Sequence, residues 1–209
     1  MNPKPGAPYP GIRPFREDEE FLFFGREAQV DAMVDTLARG RFLAVIGSSG
    51  CGKSSLVNCG LRPALHRGLL TRAGSAWRMA SCRPGGNPLR ALAAALAAPE
   101  ALGSAASSGP FSQAELLEAT LAMSRRGLVE AWHQAALPAG TCLLLIVDQF
   151  EELFRYRNLA AQAEDGDPAT AFVNLLLEAR AQDVPIYIVL TMRSDFLGDC
   201  ARFAGLPEA

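Results

Sequence analysis

Residues 47–55 read GSSGCGKSS, and Gly47-x-x-x-x-Gly52-Lys53-Ser54 has the spacing GxxxxGK[ST] of a phosphate-binding loop. Each residue type has a physical task. Glycine lets the backbone wrap close to an anion, so that successive N–H groups point inward. A helix starting at the loop adds the partial positive charge of its N-terminus. The Lys53 ammonium is a mobile point charge for the β and γ phosphates, and the Ser54 hydroxyl is a hard oxygen ligand for Mg²⁺. Ser48, Ser49, Gly50, Cys51 and Ser55 complete the candidate cradle. Cys51 reads as a small neutral filler, although a helix N-terminus can lower a thiol pKa. A Gly/Ser-rich turn can match the pattern by chance. Here the apolar run RFLAVI precedes it and a helical pattern follows, which favours the cradle.

Two further strand ends carry matching chemistry. LLLIVDQFEEL places Asp148 at the tip of an apolar run, where a carboxylate can hold Mg²⁺ opposite Ser54 or simply cap a helix. Hydrolysis also needs a group that orients water. Gln149 stands where many ATPases carry glutamate, so Glu151 and Glu152 are the candidates; each could also be an ordinary acid in a first helical turn. Arg193 ends the run VLTMR and can contact a γ-phosphate or pair with Asp195 or Asp199.

These residues need strands and helices to position them. Strands are expected at 41–46, 76–82, 142–148 and 185–192, with 76–82 the weakest because Arg78 interrupts it. Val30, Met33, Val34 and Leu37 fall on one helical face, with Gly40 at the expected C-cap. The helix after the glycine loop should be disturbed at Pro63. Asn87-Pro88 opens another helix, and Ser112 with Glu115 forms a capping box before a helical stretch broken near Gly127. Asp167 caps a helix from Pro168 that carries Phe172, Val173, Leu176 and Leu177. Residues 98–110 read as a surface loop. Such alternation predicts an α/β fold with a mainly parallel sheet, three layers deep, with the run 41–46 buried on both faces. Ligands in these sheets bind beyond the carboxyl ends of the strands, where the candidate residues lie.

Composition sets bounds. The chain has 209 residues, 49% of them hydrophobic and 20% charged, which suits one substantial domain. A net charge of −2, with no basic stripe interleaved with aromatics, argues against nucleic acid as partner. Five scattered cysteines and two histidines give no metal-ligand spacing and suit a reducing compartment. No secretory signal and no apolar run long enough to span a bilayer is found, so a cytoplasmic protein away from membranes is expected. Residues 1–16, with five prolines, form an extended lead, and 17–209 the nucleotide-binding domain.

Together the segments YPGIRPF (9–15), FFGRE (23–27), FLAVIGSSGCGKSSLVNCGLRPAL (42–65), LLLIVDQFEELF (144–154 with its preceding leucine) and VLTMRSDFLGDC (189–200) resemble the STAND class of P-loop NTPases, more narrowly novel STAND group 1. The resemblance implies an ASCE/AAA+-like fold of strand order 5-1-4-3-2 and binding of Mg-ATP and ADP. It implies Gly25 and Arg26 as contacts to the base and ribose with Phe24 alongside, Asp148 as the Mg²⁺-associated acid and Arg193 as a sensor. It further implies slow hydrolysis that times a switch, an ATP-dependent oligomer, and sensor or effector domains beyond the nucleotide domain. On this reading the chain stops before a fifth strand, lid and winged helix. The rival reading is a nucleotide-sensing or scaffold module without turnover, which Gln149 makes credible.

Overall fold

The computed structural model describes residues 11, 13–70, 73, 76–103, 110–160 and 167–209, with the backbone alone at 157–160. Most of the proline-rich lead, Tyr9, Pro10 and Ile12 of YPGIRPF, and residues 104–109 of the expected surface loop lie outside them.

Thr141–Val147 (β3) is the axis of the fold. All seven residues are buried, because β3 lies between Ala76–Cys82 (β2) and Ile186–Arg193 (β4) with helices over both faces. Side chains of a strand alternate between faces. Leu143, Leu145 and Val147 therefore enter one core, with Leu92 and Leu96 of Pro88–Leu96 (α4) and Phe172 and Leu176 of Pro168–Ala181 (α8). Cys142, Leu144 and Ile146 enter the other, with Met33, Val34 and Leu37 of Glu27–Gly40 (α1). Gln113–Met123 (α5) and Gly127–Gln134 (α6) extend the first layer. The sheet is wholly parallel, in the order β1-β4-β3-β2, with β1 at Phe42–Gly47. The α/β, helix-sheet-helix architecture is thus the expected one.

Local signals hold where the chemistry is local. Asn87, Ser112 and Asp167 accept N–H bonds as N-caps, and Ser112 and Glu115 form a complete capping box. Three expectations change. β1 is buried on both faces only at Phe42: it is an edge strand, and Ile46 is 40% exposed. Gly40 is the last helical residue of α1, and Arg41 takes the left-handed C-cap at φ 56°. That conformation is costly for a side chain, but the Arg41 guanidinium donates to Val184 O at 2.6 Å and Gln182 O at 2.8 Å. Leu177 of α8 packs half-buried against the same core as Phe172, Val173 and Leu176, as its place on the helical face implies.

The helix after the loop continues through Pro63. Lys53–Ser55 (α2) passes into a π-helical segment, Leu56–Leu61, and then into Arg62–His66 (α3). The wider π turns move aside the carbonyl that a proline ring meets in an α-helix. Gly60, inside the π segment, lets α1 approach: a Cβ there would stand 2.5 Å from Val30 Cγ2. Gly60→Ala is expected to cost about 1–3 kcal/mol by overpacking, read as a lower urea midpoint at unchanged slope. An unchanged midpoint would show that Val30 yields freely.

Candidate functional site

The carboxyl ends of β1, β3 and β4 meet at a cleft of about 670 Å³ lined by Ser49, Gly50, Gly52, Lys53, Ser54, Ser55, Asp148, Gln149, Glu151, Thr191 and Arg193. Parallel pairing fixes this meeting: Gly47 is opposite Arg193, and Val147 opposite Leu190, so the residues that follow these strands emerge together.

The loop itself is shaped by glycine. Gly50 (φ 74°) and Gly52 (φ 90°) occupy the left-handed region, which any β-carbon strains. A Cβ on Gly47 would stand 2.8 Å from Cys51 Sγ, so the small residue at 47 lets Cys51 fold over it. The Lys53 ammonium donates to Gly47 O at 3.0 Å and Ser48 O at 2.8 Å, holding the cation inside the curve of the loop.

Asp148 collects the next group of residues. Ser54 Oγ donates to Asp148 Oδ1 at 2.7 Å, and Thr191 Oγ1 donates to the same oxygen at 2.6 Å. Because Ser54 spends its proton on Asp148, its lone pairs face away from the carboxylate. That leaves a neutral hydroxyl oxygen and a carboxylate side by side, a hard oxygen donor set suited to Mg²⁺. Among the described residues no cluster of three or more His, Cys, Asp or Glu side chains could enclose a metal. Mg²⁺ fits such a sparse set, since it usually takes one or two protein oxygens and completes its shell with phosphates and water.

The two glutamates separate. Glu151 is 6% exposed, lines the cleft, and accepts the Arg193 N–H at 3.3 Å. Glu152 opens Glu152–Ala160 (α7) and accepts the Gly85 N–H at 3.0 Å, away from the cleft lining. Gln149 takes φ 57° and donates its N–H to Thr191 Oγ1 at 3.1 Å. Arg193 both lines the cleft and pairs with Asp195, whose carboxyl it holds below the usual range through the hydrogen bond and its charge. Its buried Nε has no hydrogen-bond partner among the described residues, and its guanidinium lies 5.9 Å over the Phe196 ring.

Several cleft residues escaped the sequence reading. Thr191 stood in an apolar strand as a buried hydroxyl, a signal open to notice. Arg83 follows β2 at the same end of the sheet and donates to Asp148 Oδ2 through Nε at 3.2 Å and its terminal nitrogen at 3.1 Å. Arg13 and Phe15 belong to a strap across the loop helix. Phe15 N–H donates to Ser55 Oγ at 3.1 Å, and Asn58 Nδ2 donates to Phe15 O at 3.3 Å. The Arg13 guanidinium grips Glu19 at 2.5 and 2.7 Å and holds that carboxyl down at about 2. A depressed carboxylate stabilises above its unfolded pKa, so this clasp loosens only as pH falls from about 4.5 toward 2.

Gly25 and Arg26 lie elsewhere. Gly25 (φ 77°) forms a turn and donates to Glu27 Oε1 at 3.0 Å, while Arg26 lines a second cleft with Phe24 that shares no residue with the first. The two regions touch through the Phe15 and Phe23 rings, 5.9 Å apart. Among the described residues no helix is long and apolar enough to cross a membrane.

Residues 8–209 match the family described as Novel STAND NTPase 1. No curated protein and no solved structure matches the chain.

Proposed function

The chain belongs to the novel STAND NTPase 1 family and is a nucleotide-binding NTPase module, and from that premise we propose that it binds Mg-ATP and ADP as the switch of a signalling or defence system, hydrolysing ATP slowly. The observation that carries this reading is the contact of Ser54 with Asp148 at 2.7 Å beside a glycine-shaped loop. It joins a phosphate cradle to a metal-holding carboxylate in one cleft.

In this reading the loop N–H groups and Lys53 bind the phosphates, while Ser54 and Asp148 hold Mg²⁺. The metal, when bound, neutralises charge on the phosphate oxygens. Glu151 orients the attacking water. Its burial, its place in the lining and its bond from Arg193 N–H support it over Glu152. The buried Arg193 Nε leaves that side chain able to answer a γ-phosphate by exchanging its Asp195 contact. Arg13, Pro14 and Phe15 wall the base side, with the Gly25-Arg26 turn supporting them through Phe23. A cytoplasmic setting, effector domains or a partner protein, and an ATP-dependent oligomer complete the proposal.

Single-turnover hydrolysis of ATP tests it. Glu151→Gln should slow turnover about 100-fold or more with binding retained, and Glu152→Gln by less than about threefold. Equal losses would remove Glu151 from the role. A wild-type chain that binds ATP without turning it over would support the sensing module, for which the neutral Gln149 beside Asp148 speaks.

A further inference from the structure

Arg83 has no part in the reading above, yet it makes the only two-pronged contact to Asp148 among the described residues. Its position is fixed from both directions. β2 and β3 are in parallel register, with Cys82 opposite Val147, and Asp148 N–H donates to Cys82 O at 2.9 Å. On the far side the turn is held by Gly85, at φ 55°, whose N–H donates to Glu152. The backbone therefore delivers the guanidinium to Asp148 Oδ2, while Oδ1 is taken by the Ser54 and Thr191 hydroxyls.

From this geometry we infer that Arg83 is a tethered cation that neutralises Asp148 in place of the metal, so that the cleft accepts a nucleoside diphosphate with little dependence on Mg²⁺. The inference rests on the nucleotide-binding reading. A bare carboxylate at the floor of a phosphate site repels the ligand, and a metal ion is the usual remedy. Here a guanidinium supplies the opposing charge from the chain itself. Its side chain is 55% exposed, so the pair is solvated and weak enough to give way to a metal ion. Arg83 is a positioning residue, acting through Asp148.

The test is calorimetric titration of ADP into the full chain, once with Mg²⁺ and once with EDTA, for wild type, Arg83→Gln and Arg83→Lys. Wild type should show affinities within about threefold of each other. In Arg83→Gln the metal-free affinity should fall about tenfold, the size expected for losing one opposing charge at this distance in a solvated site. Affinity with Mg²⁺ should hold or rise, and Arg83→Lys should stay near wild type because it keeps the charge. Exposure of the side chain makes folding of the variants secure, which their melting curves check. Unchanged metal dependence in Arg83→Gln overturns the role of Arg83 and leaves nucleotide binding standing. A folded wild-type chain that binds no nucleotide under either condition overturns both.

Discussion

Lys53→Ala is expected to lower the affinity for ATP and ADP about 100-fold while leaving the melting temperature almost unchanged. The ammonium donates to two loop carbonyls and sits at the mouth of the glycine curve. A charge-assisted hydrogen bond to phosphate is worth about 1.5–3 kcal/mol, and two such bonds lost correspond to at least a hundredfold in affinity. Stability is spared because the carbonyls released lie in an open loop where water replaces the lysine. Calorimetry with both nucleotides, beside a thermal melt of the same samples, measures the two effects separately. Equal binding by wild type and variant would mean that the glycine loop is only a turn.

The second large effect concerns the core under the site. Phe150→Ala should destabilise the fold by about 3–5 kcal/mol, about 6–20 °C for a chain of this size. Phe150 is fully buried and meets Phe154 edge-on at 5.8 Å between ring centroids. Phe154 in turn lies against Phe196 at 6.1 Å and Phe203 at 5.7 Å, and Phe196 lies beneath Arg193. This aromatic column carries the segment between Asp148 and Glu151 and ties it to the strand end that bears the arginine. The variant should therefore bind nucleotide less tightly at temperatures well below its own melting point, because both carboxylates lose their footing. A loss under about 1 kcal/mol would show that the neighbouring rings close over the gap.

The column also gives the spacing of the two phenylalanines in DQFEELF a structural role. Phe150 and Phe154 are one helical turn apart and face the same core, whereas Glu151 and Glu152 point to different partners, Arg193 N–H and Gly85 N–H. Two adjacent acids thus acquire different environments from a rotation of one residue along a turn.

The amino-acid sequence alone determined the elements and the glycine loop. Strand β2 falls on the expected residues 76–82, the N-caps at Asn87, Ser112 and Asp167 hold, and the glycine loop opens a helix after β1. Each depends on contacts between residues close in the chain, so periodicity and residue type suffice to find it. Family membership was equally legible, since the motifs and their order carry it. Tertiary structure decided the rest. β1 is buried only at Phe42, Arg41 takes a left-handed cap because carbonyls of the segment around Val184 hold its side chain, and Pro63 lies within a continuous helix because the preceding turns are widened. The same holds for the site: Arg83, Thr191 and Arg13 lie far along the chain from Asp148 and Lys53, and of the two adjacent acids only Glu151 lines the cleft. Local sequence encodes which groups can bind phosphate and metal; only the parallel register of β1, β4, β3 and β2 brings the partners of those groups within hydrogen-bonding distance.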